Sequence, residues 1–148
     1  MTPSSQALIA LCAALLLPPL GQVAQAEGTT PPRRGVQIAL NALTEGEGAC
    51  RLSFLAQNAS GQEISEAIYE TVLFDRSGGV MLLTLFDFRD LPLDRPRVRQ
   101  FDLGGVACGD LGRVLINGAN RCLVDGKDSA VCTEGLTLSS RTDVEVLG

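Results

Sequence analysis

The chain has 148 residues, a net charge of −5 and a pI of about 4.6. That length gives room for one domain. An acidic chain with no extended basic stripe does not suit nucleic acid, whose phosphates must be neutralised. It has no His, so the commonest general base and metal ligand is missing, and neither a metal nor another cofactor is expected.

The first 26 residues form a separate segment. Leu8 to Leu20 is an apolar run broken by Pro18 and Pro19, followed by Ala24-Gln25-Ala26. A short apolar run before a small-x-small site is the pattern of a cleaved secretory signal, too short for a membrane span. Arg33-Arg34 follows the apolar run, whereas a twin-arginine signal carries its pair before it. Cys12 follows Leu11, where a lipoprotein needs a small residue. The expectation is export to the periplasm or beyond, with no integral membrane segment after cleavage. Cleavage would remove Cys12 and no charge, leaving Cys50, Cys108, Cys122 and Cys132.

Residues 27–35 are polar and Pro-rich and are expected to be a disordered tail. Val36 to Asn41 alternates apolar and polar residues, which suits an edge strand. Thr44 to Gly48 reads as a loop. Cys50 to Gln57 alternates again, with Cys50, Leu52, Phe54 and Ala56 on one face. Asn58 to Gly61 is a turn that also spells a glycosylation sequon. Ile64–Phe74 and Val80–Phe88 are apolar arms around Asp75-Arg76-Ser77-Gly78-Gly79, a hairpin signature. Both arms become apolar on two faces, which predicts central, buried strands. Asp90 to Pro96 is a turn-rich connection, Arg97 to Leu103 a strand, and Gly104 to Asp110 a loop holding Cys108. Leu111 to Asn117 is a short strand, and Asp125-Gly126-Lys127-Asp128 a hairpin tip. Leu136 to Val146 keeps period two and reads as one half-solvated strand. Residues 36–148 are therefore expected to form a single all-β domain, an antiparallel immunoglobulin-like sandwich of about seven strands.

Four cysteines in an oxidising compartment indicate a disulfide framework, and they allow three pairings. In a Greek-key order, Cys50 and the loop after Leu103 fall at the same end of the sandwich. Cys122 and Cys132 flank the Asp125–Asp128 tip. The expected bonds are Cys50–Cys108 and Cys122–Cys132, worth about 4 and about 2.7 kcal/mol by loop closure. No C-x-x-C pair suggests redox or zinc chemistry instead.

Candidate chemical groups are few. Lys127 is the lone lysine and sits at a predicted tip, poorly placed to serve as a base for a nucleophilic serine. Tyr69 reads as a core aromatic. Asp87, Asp90 and Asp94 cluster beside Arg89, Arg95 and Arg97, which suits turn and capping chemistry; acid–base work on a sugar is the alternative. Asp125 and Asp128 lack the longer ligand pattern of a calcium loop. Arg95, Arg97 and Arg99 recur at i, i+2, i+4, which in a strand puts them on one face. That is a possible binding face for an anionic partner, or a charged guard on an edge strand.

The run ACRLSFLAQNASGQEISEAIYETVLFDRSGG, with RPRVRQFDLGGVACGDLGRVLING and the Cys122–Cys132 element, resembles a family of small exported alphaproteobacterial proteins, some labelled as carrying a twin-arginine pathway signal. Cys50, the Asn58–Gly61 turn, Leu73-Phe74-Asp75 with Gly79, Phe101-Asp102-Leu103, Cys108 and Val114-Leu115-Ile116-Asn117 carry the likeness. The Asn turn, the hairpin and the strand ending Phe101-Asp102-Leu103 also resemble FxLYD-type immunoglobulin-like modules. The resemblance implies a sandwich and transfers no catalytic residue. The functional expectation is a non-enzymatic binding or accessory module that contacts an envelope protein. The alternative is a carbohydrate or small-ligand binder, or a hydrolase using Asp87 and Asp90. The Ile64–Phe88 hairpin is expected to be buried. Function is expected on the Arg95–Arg99 strand or in the loops near Cys108 and Cys122.

Overall fold

The computed structural model describes residues 34–148. The segment read as a signal, 1–26, and most of the predicted tail lie outside them. The described chain forms strands β1 (Val36–Gly46), β2 (Ala49–Asn58), β3 (Ile64–Asp75), β4 (Val80–Leu91), β5 (Arg97–Gly104), β6 (Leu111–Val124), β7 (Lys127–Asp128), β8 (Thr137–Ser140) and β9 (Glu145–Leu147). A single 3-10 turn covers Cys108–Asp110. Among the described residues no helix is long and apolar enough to cross a membrane.

One sheet runs β5-β2-β1-β8 and the other β4-β3-β6-β7, with β9 beside β6. The expected all-β sandwich is present, antiparallel except where β8 joins β1 and β9 joins β6 in parallel. Alternation explains how the sheets face each other. Cys50, Leu52, Phe54 and Ala56 of β2 are all buried, and so are Ala67, Tyr69, Thr71 and Leu73 of β3. After the turn at Asn58 the chain changes sheets. β5 later returns beside β2, with Leu103 opposite Cys50, as in a Greek key.

Aromatic rings fill the middle. The Phe54 ring lies 5.8 Å from Phe86, 5.7 Å from Phe88 and 5.9 Å from Phe101. Tyr69 meets Phe88 edge-on at 5.6 Å, and its hydroxyl donates to the Cys132 carbonyl at 2.9 Å. Burial pushes the Tyr69 hydroxyl pKa up, so it stays a neutral donor, as the core-aromatic reading expects.

Both predicted disulfides are formed, Cys50–Cys108 and Cys122–Cys132. The two cysteines of the second do not lie opposite each other in the hairpin. The hairpin closes on Asp125 and Gly126, both at positive φ (51° and 71°), with Val124 opposite Lys127. That is a two-residue loop. The Cys122 carbonyl accepts from the Ser129 N–H at 3.0 Å, and a further turn built on the Ala130 carbonyl brings Cys132 back.

Several expected elements change. Val36–Asn41 is not an edge, because β8 covers the free side of β1, and β1 runs on through Thr44–Gly46. Leu136–Val146 is not one strand. The Ser140 hydroxyl accepts from the Thr142 N–H at 3.1 Å, and the Thr142 hydroxyl from the Val144 N–H at 3.1 Å. These local bonds turn the chain from one sheet to the other while Val144 and Val146 stay in the core. Leu111–Asn117 extends as β6 to Val124. Gly35 belongs to the fold, not to a tail. Its carbonyl accepts from the Ala59 N–H at 2.9 Å, and a Cβ there would collide with the Gly135 carbonyl. Most consequentially, β4 is an edge strand. Two-sided apolarity indicated a buried centre, yet among the described residues no other strand lies beyond it.

Phe54→Ala should cost about 3–5 kcal/mol in denaturant unfolding, because it empties the centre of the aromatic cluster. Replacing Cys50 and Cys108 together should cost more than replacing Cys122 and Cys132, about 4 against about 2.7 kcal/mol, since the first loop is longer.

Candidate interaction surface

The exposed residues of β4 define the most unusual surface. Val80 is 67% exposed, Leu83 59%, Leu85 50% and Leu82 38%. Phe86 and Phe88 of the same strand are buried in the core. The inner row is therefore covered only over the second half of β4. Nothing in the described chain covers the outer row.

Cross-strand register extends that outer row over the sheet. Leu83 lies opposite Val72, Val72 opposite Leu115, and Leu115 opposite Leu147. The four residues form an apolar stripe across β4, β3, β6 and β9, in which Leu83 is exposed, Leu115 and Leu147 are half-buried and Val72 is buried by its neighbours. A register shift near Met81 sets Val80 opposite Phe74 on the same face. Polar pairs border the stripe. Arg113 Nε donates to Glu145 Oε2 at 3.1 Å and Arg121 Nε to Glu66 Oε2 at 2.6 Å, while Asn117 donates to Glu70. The outer face of the other sheet is ordinary by comparison. There Arg51 grips Asp102 through two bonds, 2.7 and 3.0 Å, and Gln100 donates to Ser53. The Arg51 guanidinium holds the Asp102 carboxyl below the usual carboxylate range. On that face Leu55 and Val98 form an exposed apolar pair, which Ala39 of β1 extends opposite Leu55.

The three arginines do not share one strand face. Arg95 lies in the turn before β5, its N–H on the Pro92 carbonyl at 3.3 Å. Arg97 and Arg99 continue the inward row of Phe101 and Leu103, and their side chains are only 26% and 18% exposed. Arg99 spans the gap between the sheets. Its Nε donates to the Phe88 carbonyl at 2.6 Å, and its Nη2 to the Asp90 carbonyl at 3.0 Å and Asp90 Oδ1 at 3.1 Å. Arg97 adds a longer contact to Asp90 at 3.4 Å. A planar fork can satisfy several acceptors at once, so Arg99 acts as a cap on part of the β4 edge. The edge is thus divided: Phe88 to Asp90 is capped, and Leu82 to Phe86 is open. The stacked rings of Phe86 and Phe101, 4.1 Å apart, close the flank beneath.

The remaining candidates hold backbone. Asp87 Oδ1 accepts from the Arg89 N–H at 2.7 Å, where Arg89 adopts φ 59°. The Asp94 N–H donates to the Asn58 carbonyl at 2.8 Å. Asp125 and Asp128 lie at the β6–β7 tip, and no group of three or more metal-ligating side chains occurs among the described residues. Cys108 lies in the 3-10 turn, its N–H on Glu45 Oε2 at 2.8 Å. Asn58, first residue of the sequon, is fully buried; its amide donates to the Gln62 and Leu91 carbonyls at 2.7 and 2.8 Å. It ties the β2–β3 turn to the end of β4. In the β3–β4 turn, the Ser77 hydroxyl and the Gly79 N–H hold the Asp75 carboxyl below the usual range.

These features define a disulfide-bonded β-sandwich with an apolar stripe on one outer face. A solved structure of IrmA from Escherichia coli is similar, with a TM-score of 0.55 at 10% identity, covering 71% of this chain and 91% of that one. At that identity the likeness shows the fold alone. No family model and no curated protein matches the sequence.

Arg99→Ala should destabilise the protein by about 1–3 kcal/mol, since it strips donors from a part-buried carbonyl. Arg99→Lys should recover only part, because an ammonium cannot reproduce the fork. Arg95→Ala should leave unfolding unchanged. The Asp75 carboxyl is depressed in the folded state, so its contribution is present above its ordinary pKa and lost as pH falls through the lower, folded value. Asp75→Asn should therefore flatten the acid limb of a stability-against-pH curve.

Proposed function

We propose that this chain is an exported, non-enzymatic interaction module of immunoglobulin-like type, which contacts a protein of the cell envelope through the outer face of the β4-β3-β6-β9 sheet. The stripe Leu83–Val72–Leu115–Leu147 carries this reading. An antiparallel sheet with one face in water normally alternates apolar and polar residues cleanly, and contiguous exposed apolar patches mark contact sites. The outer face of the other sheet carries a smaller apolar group, Leu55 and Val98 with Ala39, beside the Arg51–Asp102 and Gln100–Ser53 pairs. The strand order, with β2 and β3 in different sheets and β5 beside β2, supports the immunoglobulin-like assignment. The leader pattern of residues 1–26 and two disulfides fit an oxidising, exported setting.

The test is site-specific photocrosslinking in the native envelope. Probes at Leu115 and Leu147 should capture a discrete protein partner, whereas probes at Ser53 and Gln100 on the opposite sheet should not. Equal yields from the two faces would defeat the proposal.

A further inference from the structure

We infer that the open stretch of β4 pairs antiparallel with β4 of a second copy of this chain, about a two-fold axis at Thr84. This inference rests on the outer face being a contact surface, and it names the occupant at the open end of that surface.

The stretch has defined limits. On one side the pairing with β3 is irregular at Met81, between Val80 and Leu82. On the other, Arg99 occupies the Phe88 carbonyl. Between them lie Leu82, Leu83, Thr84, Leu85 and Phe86, with no charge, no Pro and no Lys. Native edge strands are normally guarded by such residues, and the guard here covers only the capped half.

An antiparallel partner related by a two-fold must place outer residues opposite outer residues. Centring the axis on Thr84 lays the open stretch fully upon itself. Leu82 then faces Phe86, Leu83 faces Leu85, and Thr84 faces its own copy. Two Leu83–Leu85 pairs form on the outer face, and cross-strand apolar pairs of this kind stabilise sheets. They join the apolar stripes of the two molecules into one surface. An axis at Leu85 would set Leu83 against Asp87, and an axis at Leu83 would set Leu85 against the irregular Met81. Charge favours the same seam. Two copies of a chain with net charge −5 repel one another, and this uncharged stretch lets them meet without opposing carboxylates. A two-fold contact is self-complementary and closed, so the Arg99 cap and the Met81 irregularity limit the ladder to a dimer.

The test is sedimentation of the oxidised protein over a concentration series. The wild type should show a monomer–dimer equilibrium. Leu83→Lys and Leu85→Glu, both at exposed positions, should each be monomeric where the wild type dimerises, with thermal unfolding little changed. Mixing the two variants should restore a dimer, because the introduced lysine and glutamate face each other only when the axis lies at Thr84. A photocrosslinker at Leu85 in the otherwise unchanged chain should capture a second copy through the Leu83 peptide, which keeps the test sound if a variant folds poorly. A wild type that stays monomeric, a Leu83→Lys dimer as strong as the wild type's, or a mixture that stays monomeric overturns the inference. A monomer whose stripe still crosslinks another protein overturns the dimer and leaves the contact surface standing. A monomer with no preferred crosslink from the stripe defeats both.

Discussion

The contact between the two sheets at Phe54 governs the rest of the structure. One ring from β2 meets Phe86 and Phe88 from β4 and Phe101 from β5. Both edge strands on this flank are thereby held by their inner rows. Tyr69 extends the cluster to the Cys132 carbonyl, so the core and the second disulfide share one hydrogen bond. Ring pairs of this kind add about 0.5–1.5 kcal/mol each beyond their burial. Burial of the inner row also fixes the register of β4, because a one-residue slip would turn Phe86 and Phe88 outward.

That arrangement leaves β4 with a mixed character. Its inner row belongs to the core from Phe86 onward, its outer row faces solvent, and its free edge is half capped. Arg99 makes the difference along the edge. A part-buried carbonyl without a donor is costly, and one guanidinium satisfies Phe88 and Asp90 together. A charged residue in the inward row of β5 is thus reconciled with burial, its head group spent on backbone at the gap between the sheets. The same bond leaves Leu82–Phe86 as the uncapped part of the flank, continuous with the apolar stripe. The reading as a contact module follows from this continuity of edge and face.

Several features were legible in the residues for plain physical reasons. The inward set Cys50, Leu52, Phe54 and Ala56 follows from period two. The hairpin around Asp75–Gly79 follows from local side-chain bonds and glycine conformations. Val72, Leu83 and Leu115 carried a signal as well, in the form of apolar residues on both faces of neighbouring strands. That signal marks a strand covered twice or a strand with an apolar exposed face, and composition does not separate the two. The arginine spacing had a similar ambiguity. Arg97 and Arg99 share parity with Phe101 and Leu103, which points inward, while their charge points outward.

The sequence by itself determined the class of fold, the strand alternation and the pool of cysteines, because these depend on short-range periodicity and on residue chemistry. Tertiary structure decided which strands lie at the edges. β8 covers β1, and nothing in the described chain covers β4. It also decided that Ser140 and Thr142 split one apparent strand between two sheets, and that Arg99 spans the gap to cap β4. Each of these depends on partners far away along the chain, and period-two alternation carries no information about which strand, if any, lies alongside.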